Sequence, residues 1–93
     1  MDRLEASVCV VLPTVLAALF PGCPREVALE AASVAEAIAA LDLRIPGIRD
    51  RICDSRPAIR RHIHIYVDGI RADLATKLTP GADILVMTAI SGG

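Results

Sequence analysis

The first patterned stretch of the chain sets Val8, Val10 and Leu12 at period two in "SVCVVLP". That spacing predicts a first strand, half buried against a core. The stretch from Pro13 to Pro24 is punctuated by proline and Pro-Gly at both ends and reads as a loop or a short helical turn. In "EVALEA", Val27 and Leu29 alternate with charged residues, which predicts a second strand and, with the first, a hairpin. The pattern then changes period. "SVAE" at Ser33 is a capping box, in which the Ser hydroxyl accepts from the Glu36 N–H while Glu36 reaches back. Val34, Ile38 and Leu41 follow at i, i+4 and i+7, one apolar stripe on an alanine-rich helix that stops before "IPG".

Past Pro46-Gly47, Ile48 and Ile52 share a face in "IRDRICD", so a loop or short second helix is expected. "HIHIYVDGI" alternates strictly. Ile63, Ile65 and Val67 fall on one face and His62, His64 and Tyr66 on the other, ending in an Asp-Gly turn with a short strand expected near Ile70 to Leu74. Pro80-Gly81 turns into a last strand, Ile84 to Thr88. One main helix among antiparallel hairpins indicates α+β, a mixed sheet of four to five strands packed on the helix. If the first and last strands are both central they lie side by side, and whatever follows Thr88 leaves from the middle of the sheet. The division expected is a domain over residues 1–88 and a flexible tail over 89–93.

Composition narrows this picture only in places. Ninety-three residues, 54% hydrophobic and 23% charged, with a net charge of -1, describe one folded domain with a thin core. There is no basic excess, one Tyr, one Phe and no Trp, so nucleic acid is not an expected partner. "VCVVLPTVLAALF" is too short to span a membrane and is broken by Pro13. Asp2 and Glu5 outweigh Arg3 ahead of it, where a secretory signal carries net positive charge. Cys9, Cys23 and Cys53 form no CxxC pair and read as isolated reduced thiols, which makes a cytoplasmic protein the expectation. Cys23, in the turn "PGCPRE", is the thiol expected to be open to oxidation.

Candidates for chemistry are few. His62 and His64 could both face a metal, but two ligands make no site and no third stands at a telling spacing, so a solvated polar face is favoured. Arg56, Arg60 and Arg61 form a local basic patch, fit for an acidic partner or plain surface. No GxxxxGK, GxGxxG or GxSxG motif occurs, and no metal or catalytic set is predicted. The ending "TAISGG" is the exception. At a glycine usage of roughly 7%, two glycines at a fixed place arise by chance in about one chain in 200. A terminal carboxylate on such a stem has usable chemistry, because its oxygen can attack the α-phosphate of ATP to give an acyl-adenylate when another enzyme supplies the nucleotide site. Gly92 and Gly93 lack the Cβ that would obstruct an extended chain in a narrow channel.

In order along nearly the whole chain, "VVLPTVL", "SVAEAIAAL", "IPGIRDRICD", "IRRHIHIYVDGIRADL" and "LTPGADILVMTAISGG" resemble the ubiquitin-like sulfur carriers of the MoaD/ThiS group. The combination of the "RRH" strand with the "SGG" ending carries the resemblance. It implies a β-grasp fold and a protein cosubstrate rather than an enzyme. It implies as partners an adenylyltransferase related to ubiquitin-activating enzymes, which uses ATP, a sulfur donor such as a rhodanese or sulfide, and an acceptor enzyme of a biosynthetic pathway. No cofactor is expected to stay bound. By the same resemblance Gly93 bears the sulfur as a thiocarboxylate, Gly92 gives clearance, and Ala89, Ile90 and Ser91 are the flexible lead. His64 and Asp68 stand where many relatives carry Asn, and Thr88 where proline is frequent. The "RRH" strand is more similar to carriers of cysteine biosynthesis or related actinobacterial sulfur transfer than to the molybdopterin type.

Two other readings stay open. A ubiquitin-like modifier would use the same activation and end in an isopeptide bond; with Lys77 as its one lysine, such a chain builds polymers through one lysine at most. A plain β-grasp interaction module would make no use of the two glycines. For the carrier, Leu85 and Met87 are the expected docking patch beside the tail.

Overall fold

The structure, a computed structural model, describes residues 7–56 and 58–88. Its elements in chain order are β1 (Ser7–Val11), α1 (Thr14–Ala17), β2 (Glu26–Glu30), α2 (Val34–Arg44), α3 (Ile48–Ile52), β3 (Ile63–Val67), β4 (Ile70–Ala72) and β5 (Asp83–Thr88). The strands form one mixed sheet in the order β2-β1-β5-β3-β4. The first and last strands are therefore neighbours, and they run parallel, Val10 beside Ile84 and Val11 beside Leu85. Parallel neighbours require a crossover, which here contains α2 and α3. The expected α+β architecture is the observed one.

Four of the five strands turn a period-two apolar set toward the helix. Val8 and Val10 of β1, Val27 and Leu29 of β2, Ile63 and Ile65 of β3, and Ile84 and Val86 of β5 are buried, and the stripe Val34, Ile38 and Leu41 of α2 closes over them. Side chains such as Leu12, Leu41 and Ile65 are almost wholly removed from water, which stabilises the fold by about 1.5–3 kcal/mol each. No charged or polar residue joins this core among the described residues.

The helix start carries more connections than its capping box implies. Ser33 Oγ accepts from the Glu36 N–H at 3.2 Å, and Glu36 Oε1 accepts from the N–H of Ala32 at 2.9 Å. The remaining first-turn donors go to a distant segment: Val34 N–H donates to Thr76 O and Ala35 N–H to Leu74 O. The stretch between β4 and β5 is thus fastened under the helix, satisfying groups that a helix end always leaves over. Asp42 Oδ1 accepts from the N–H groups of Gly47 and Arg49, which joins α2 to the start of α3.

The Asp-Gly turn between β3 and β4 is also built as its residues demand. Asp68 and Gly69 have φ of 51° and 87°, both in the left-handed region used by two-residue hairpin turns. Asp68 does more than turn the chain. Its N–H donates to Asp83 O and its Oδ1 accepts from the Asp83 N–H, fixing the start of β5. One expectation needs correcting. His62 lies in the turn before β3 rather than on the strand, so only His64 and Tyr66 share the outward face. The Arg60 carbonyl accepts from the Ile63 N–H there, closing the turn that displaces His62.

Candidate functional site

The face of the sheet away from α2 has no element over it among the described residues. Because side chains alternate along β5, burying Ile84 and Val86 sets Leu85 and Met87 outward, 39% and 45% exposed. Register decides their neighbours. Leu85 stands between Val11 of β1 and Tyr66 of β3, while Met87 is opposite His64. The row extends across all five strands, from Glu26 beside Val11 at one edge to Arg71 beside Tyr66 at the other. Val11, Leu85, Tyr66 and Met87 line an open hollow of about 680 Å3. Its rim is acidic, formed by Glu26, Asp68 and Asp83.

Sequence reasoning selected Leu85 and Met87 and missed Val11, Tyr66 and the three carboxylates. Alternation marks the outward members of each strand, but which of them meet depends on strand order and register. Cys9 also lines this hollow. Burial pushes its thiol up, and the nearby carboxylates of Glu26 and Asp83 push it further. Burial likewise raises Cys53 in the core, so both thiols are disfavoured as thiolates. Cys23 is half-buried, its Sγ donating to Pro24 O at 3.2 Å.

The basic patch is not three free cations. Arg56 forks onto Asp54, with Nε 2.9 Å and Nη2 2.6 Å from Oδ2. Those bonds, followed by the Arg56 N–H to Oδ1, hold the Asp54 carboxyl down at about 2. Arg60 donates from Nε to Asp50 O, and Arg61 is exposed. Among the described residues no three His, Cys, Asp or Glu side chains gather in a group fit for a metal. No helix among them is long and apolar enough to cross a membrane.

The expected activation site Gly93 and its lead, Ala89, Ile90, Ser91 and Gly92, lie outside the described residues. What is placed is the base from which they depart: β5, third of the five strands, reaches Thr88 beside the open apolar face.

A family model described as the ThiS family matches residues 18–93. The chain belongs to the ThiS family. No curated protein matches it by sequence. Solved structures agree on the fold. A chain of the Amycolatopsis orientalis BexX/CysO complex is similar at 27% identity and a TM-score of 0.83, covering 92% of this chain and 99% of that one. Mycobacterium tuberculosis CysO, described as an antigen, is similar at 25% identity and a TM-score of 0.79 over 89% and 99% of the two chains. The small archaeal modifier protein 1 of Haloferax volcanii, at 22% identity and a TM-score of 0.79 over 91% and 99%, shares the fold. This ThiS-family chain thus has the β-grasp fold of the ubiquitin-like sulfur carriers, as its motifs imply.

Proposed function

We propose that this protein carries sulfur as a thiocarboxylate on Gly93, acting as a protein cosubstrate without an active site of its own. The observation supporting this reading is the position of β5 in a ThiS-family chain: a central strand ends beside an uncovered apolar face, and the family match runs on through residue 93. An adenylyltransferase related to ubiquitin-activating enzymes docks on Leu85, Met87 and their neighbours Val11 and Tyr66. It receives the extended tail and supplies ATP and metal. A Gly93 carboxylate oxygen attacks the α-phosphorus and pyrophosphate leaves. Sulfide then attacks the acyl carbon; the C–S bond forms, the C–O bond to the phosphate breaks, AMP departs, and the sulfhydryl proton goes to solvent.

The sulfur then passes to an enzyme making cysteine, molybdopterin, thiazole or a secondary metabolite. We place the protein in the cytoplasm, where thiols such as Cys9, Cys23 and Cys53 stay reduced. The reading is tested by intact-protein mass spectrometry after incubation with ATP, sulfide and the cognate adenylyltransferase. A mass gain of one sulfur-for-oxygen replacement, localised to Gly93, is expected. An unchanged mass with a demonstrably active partner overturns it, and protein conjugates lost on deleting Gly92 and Gly93, with no sulfur on the free chain, would assign the protein as a modifier instead.

A further inference from the structure

A second hollow, of about 450 Å3, lies at the opposite edge of the sheet from β2, bounded by β4, residues 58–61 and residues 73–75. Its floor is aliphatic: Ile59 and Leu74 are half-buried there, with Ile63 and Ile65 of the core beneath. Three arginines stand around it, Arg60, Arg61 and Arg71, against one carboxylate, Asp73. Asp73 is already occupied, its Oδ1 accepting from the Ala75 N–H and the Thr76 hydroxyl. None of the three arginines meets a carboxylate within salt-bridge distance among the described residues. This local positive excess stands in a chain whose net charge is -1.

The backbone contributes as well. Val67 and Ile70 flank the two-residue Asp68-Gly69 turn and so form the hydrogen-bonded pair of the hairpin, as do Ile65 and Ala72. Arg71, between them, turns its N–H and C=O away from β3, and no strand lies beyond β4 among the described residues. An exposed edge of this kind is a template for a further strand. One N–H and C=O pair supplies only two hydrogen bonds, so the charges must supply selectivity.

We propose that this groove binds an extended acidic and aliphatic peptide segment of a partner protein, added as a short strand beside β4. Aliphatic side chains of the segment cover Ile59 and Leu74, and its carboxylates meet Arg60, Arg61 and Arg71. The groove holds no aromatic platform, so it favours a peptide over a single-stranded nucleic acid of equal charge. Apart from Arg71, which also ends the row crossing the Leu85 face, its lining is distinct from that face, and the inference does not rest on the sulfur-carrier reading.

The test is a titration of the full 15N-labelled chain with a capped peptide of alternating Glu and Val, followed by amide shifts up to about 1 mM peptide. Shifts concentrated at residues 58–61 and 70–75 are expected, with affinity falling as salt is raised from about 50 to about 300 mM. The double variant Arg60→Glu, Arg61→Glu is expected to keep its thermal transition and the amide shifts of Leu85 and Met87 while losing about tenfold in peptide affinity. Absent shifts, shifts centred on the Leu85 face, equal response to a Lys and Val peptide, or equal response to an oligonucleotide would each overturn the proposal.

Discussion

Val86 and Met87 are adjacent on one strand and live in opposite environments: Val86 is 1% exposed under the helix, and Met87 is 45% exposed on the open face. Both are apolar, and nothing in their own chemistry separates them. On the proposed reading, β5 serves two purposes at once, one face built into the core and the other left open for a partner. An apolar side chain on the first face is explained by folding; on the second, beside Leu85, Val11 and Tyr66, it calls for a partner.

The sharpest way to break this comparison is the same substitution at both positions. Val86→Asp places a carboxylate in a core without polar partners and is expected to cost more than about 4 kcal/mol, abolishing the cooperative urea transition. Met87→Asp is expected to leave that transition within about 0.5 kcal/mol. Its effect belongs to partner contact: adenylation by the cognate enzyme should fall about tenfold or more. A normal adenylation rate, or an unfolded Met87 variant, would remove the distinction between the two faces.

Smaller effects sharpen the account of how β5 is held in place. Gly69→Ala meets no atom within 4 Å, so its cost comes only from a φ of +87°, about 1–2 kcal/mol in urea denaturation. Because the turn sets Asp68 against Asp83, the amide signals of β5 should shift in that variant. Ser33→Ala removes the acceptor for Glu36 N–H and should cost about 1 kcal/mol, away from both faces of β5. The smallest effect is at Asp54, far from the open face. Its folded carboxyl titrates at about 2 against an ordinary 3.8, so the fold favours the ionised form. That contribution is fully present above pH 3.8 and is lost as pH falls through about 2. Between those limits Asp54→Asn should flatten the dependence of the urea midpoint on pH; an unchanged slope would show that the Arg56 fork does not persist in solution.

Much of this was legible from the sequence because it depends on local periodicity. The alternation in β1, β2 and β3, the capped α2 and the Asp-Gly turn each announce themselves within a dozen residues. His62 misled because strict alternation in "RHIHIYV" continues one residue beyond the point where the chain turns. The Glu36 interaction was visible as a motif, but its acceptor role toward Ala32 was not. Nor could spacing show that residues 74–76 take up the free N–H groups of α2, since those partners are some forty residues away along the chain.

By itself the sequence determined the elements, the inward sets of β1, β2 and β3, and the motifs that carry membership of the ThiS family, but not which face of β5 turns inward, since Ile84 to Met87 are all apolar. These are properties of residue type at short spacing, and backbone geometry alone translates them into faces. Only the tertiary structure decided what stands beside what. The order β2-β1-β5-β3-β4 brings Val11, Leu85 and Tyr66 into one row, sets three carboxylates around it, and leaves Arg60, Arg61 and Arg71 at the other margin. Such neighbours come from distant parts of the chain, and only strand pairing and register bring them together.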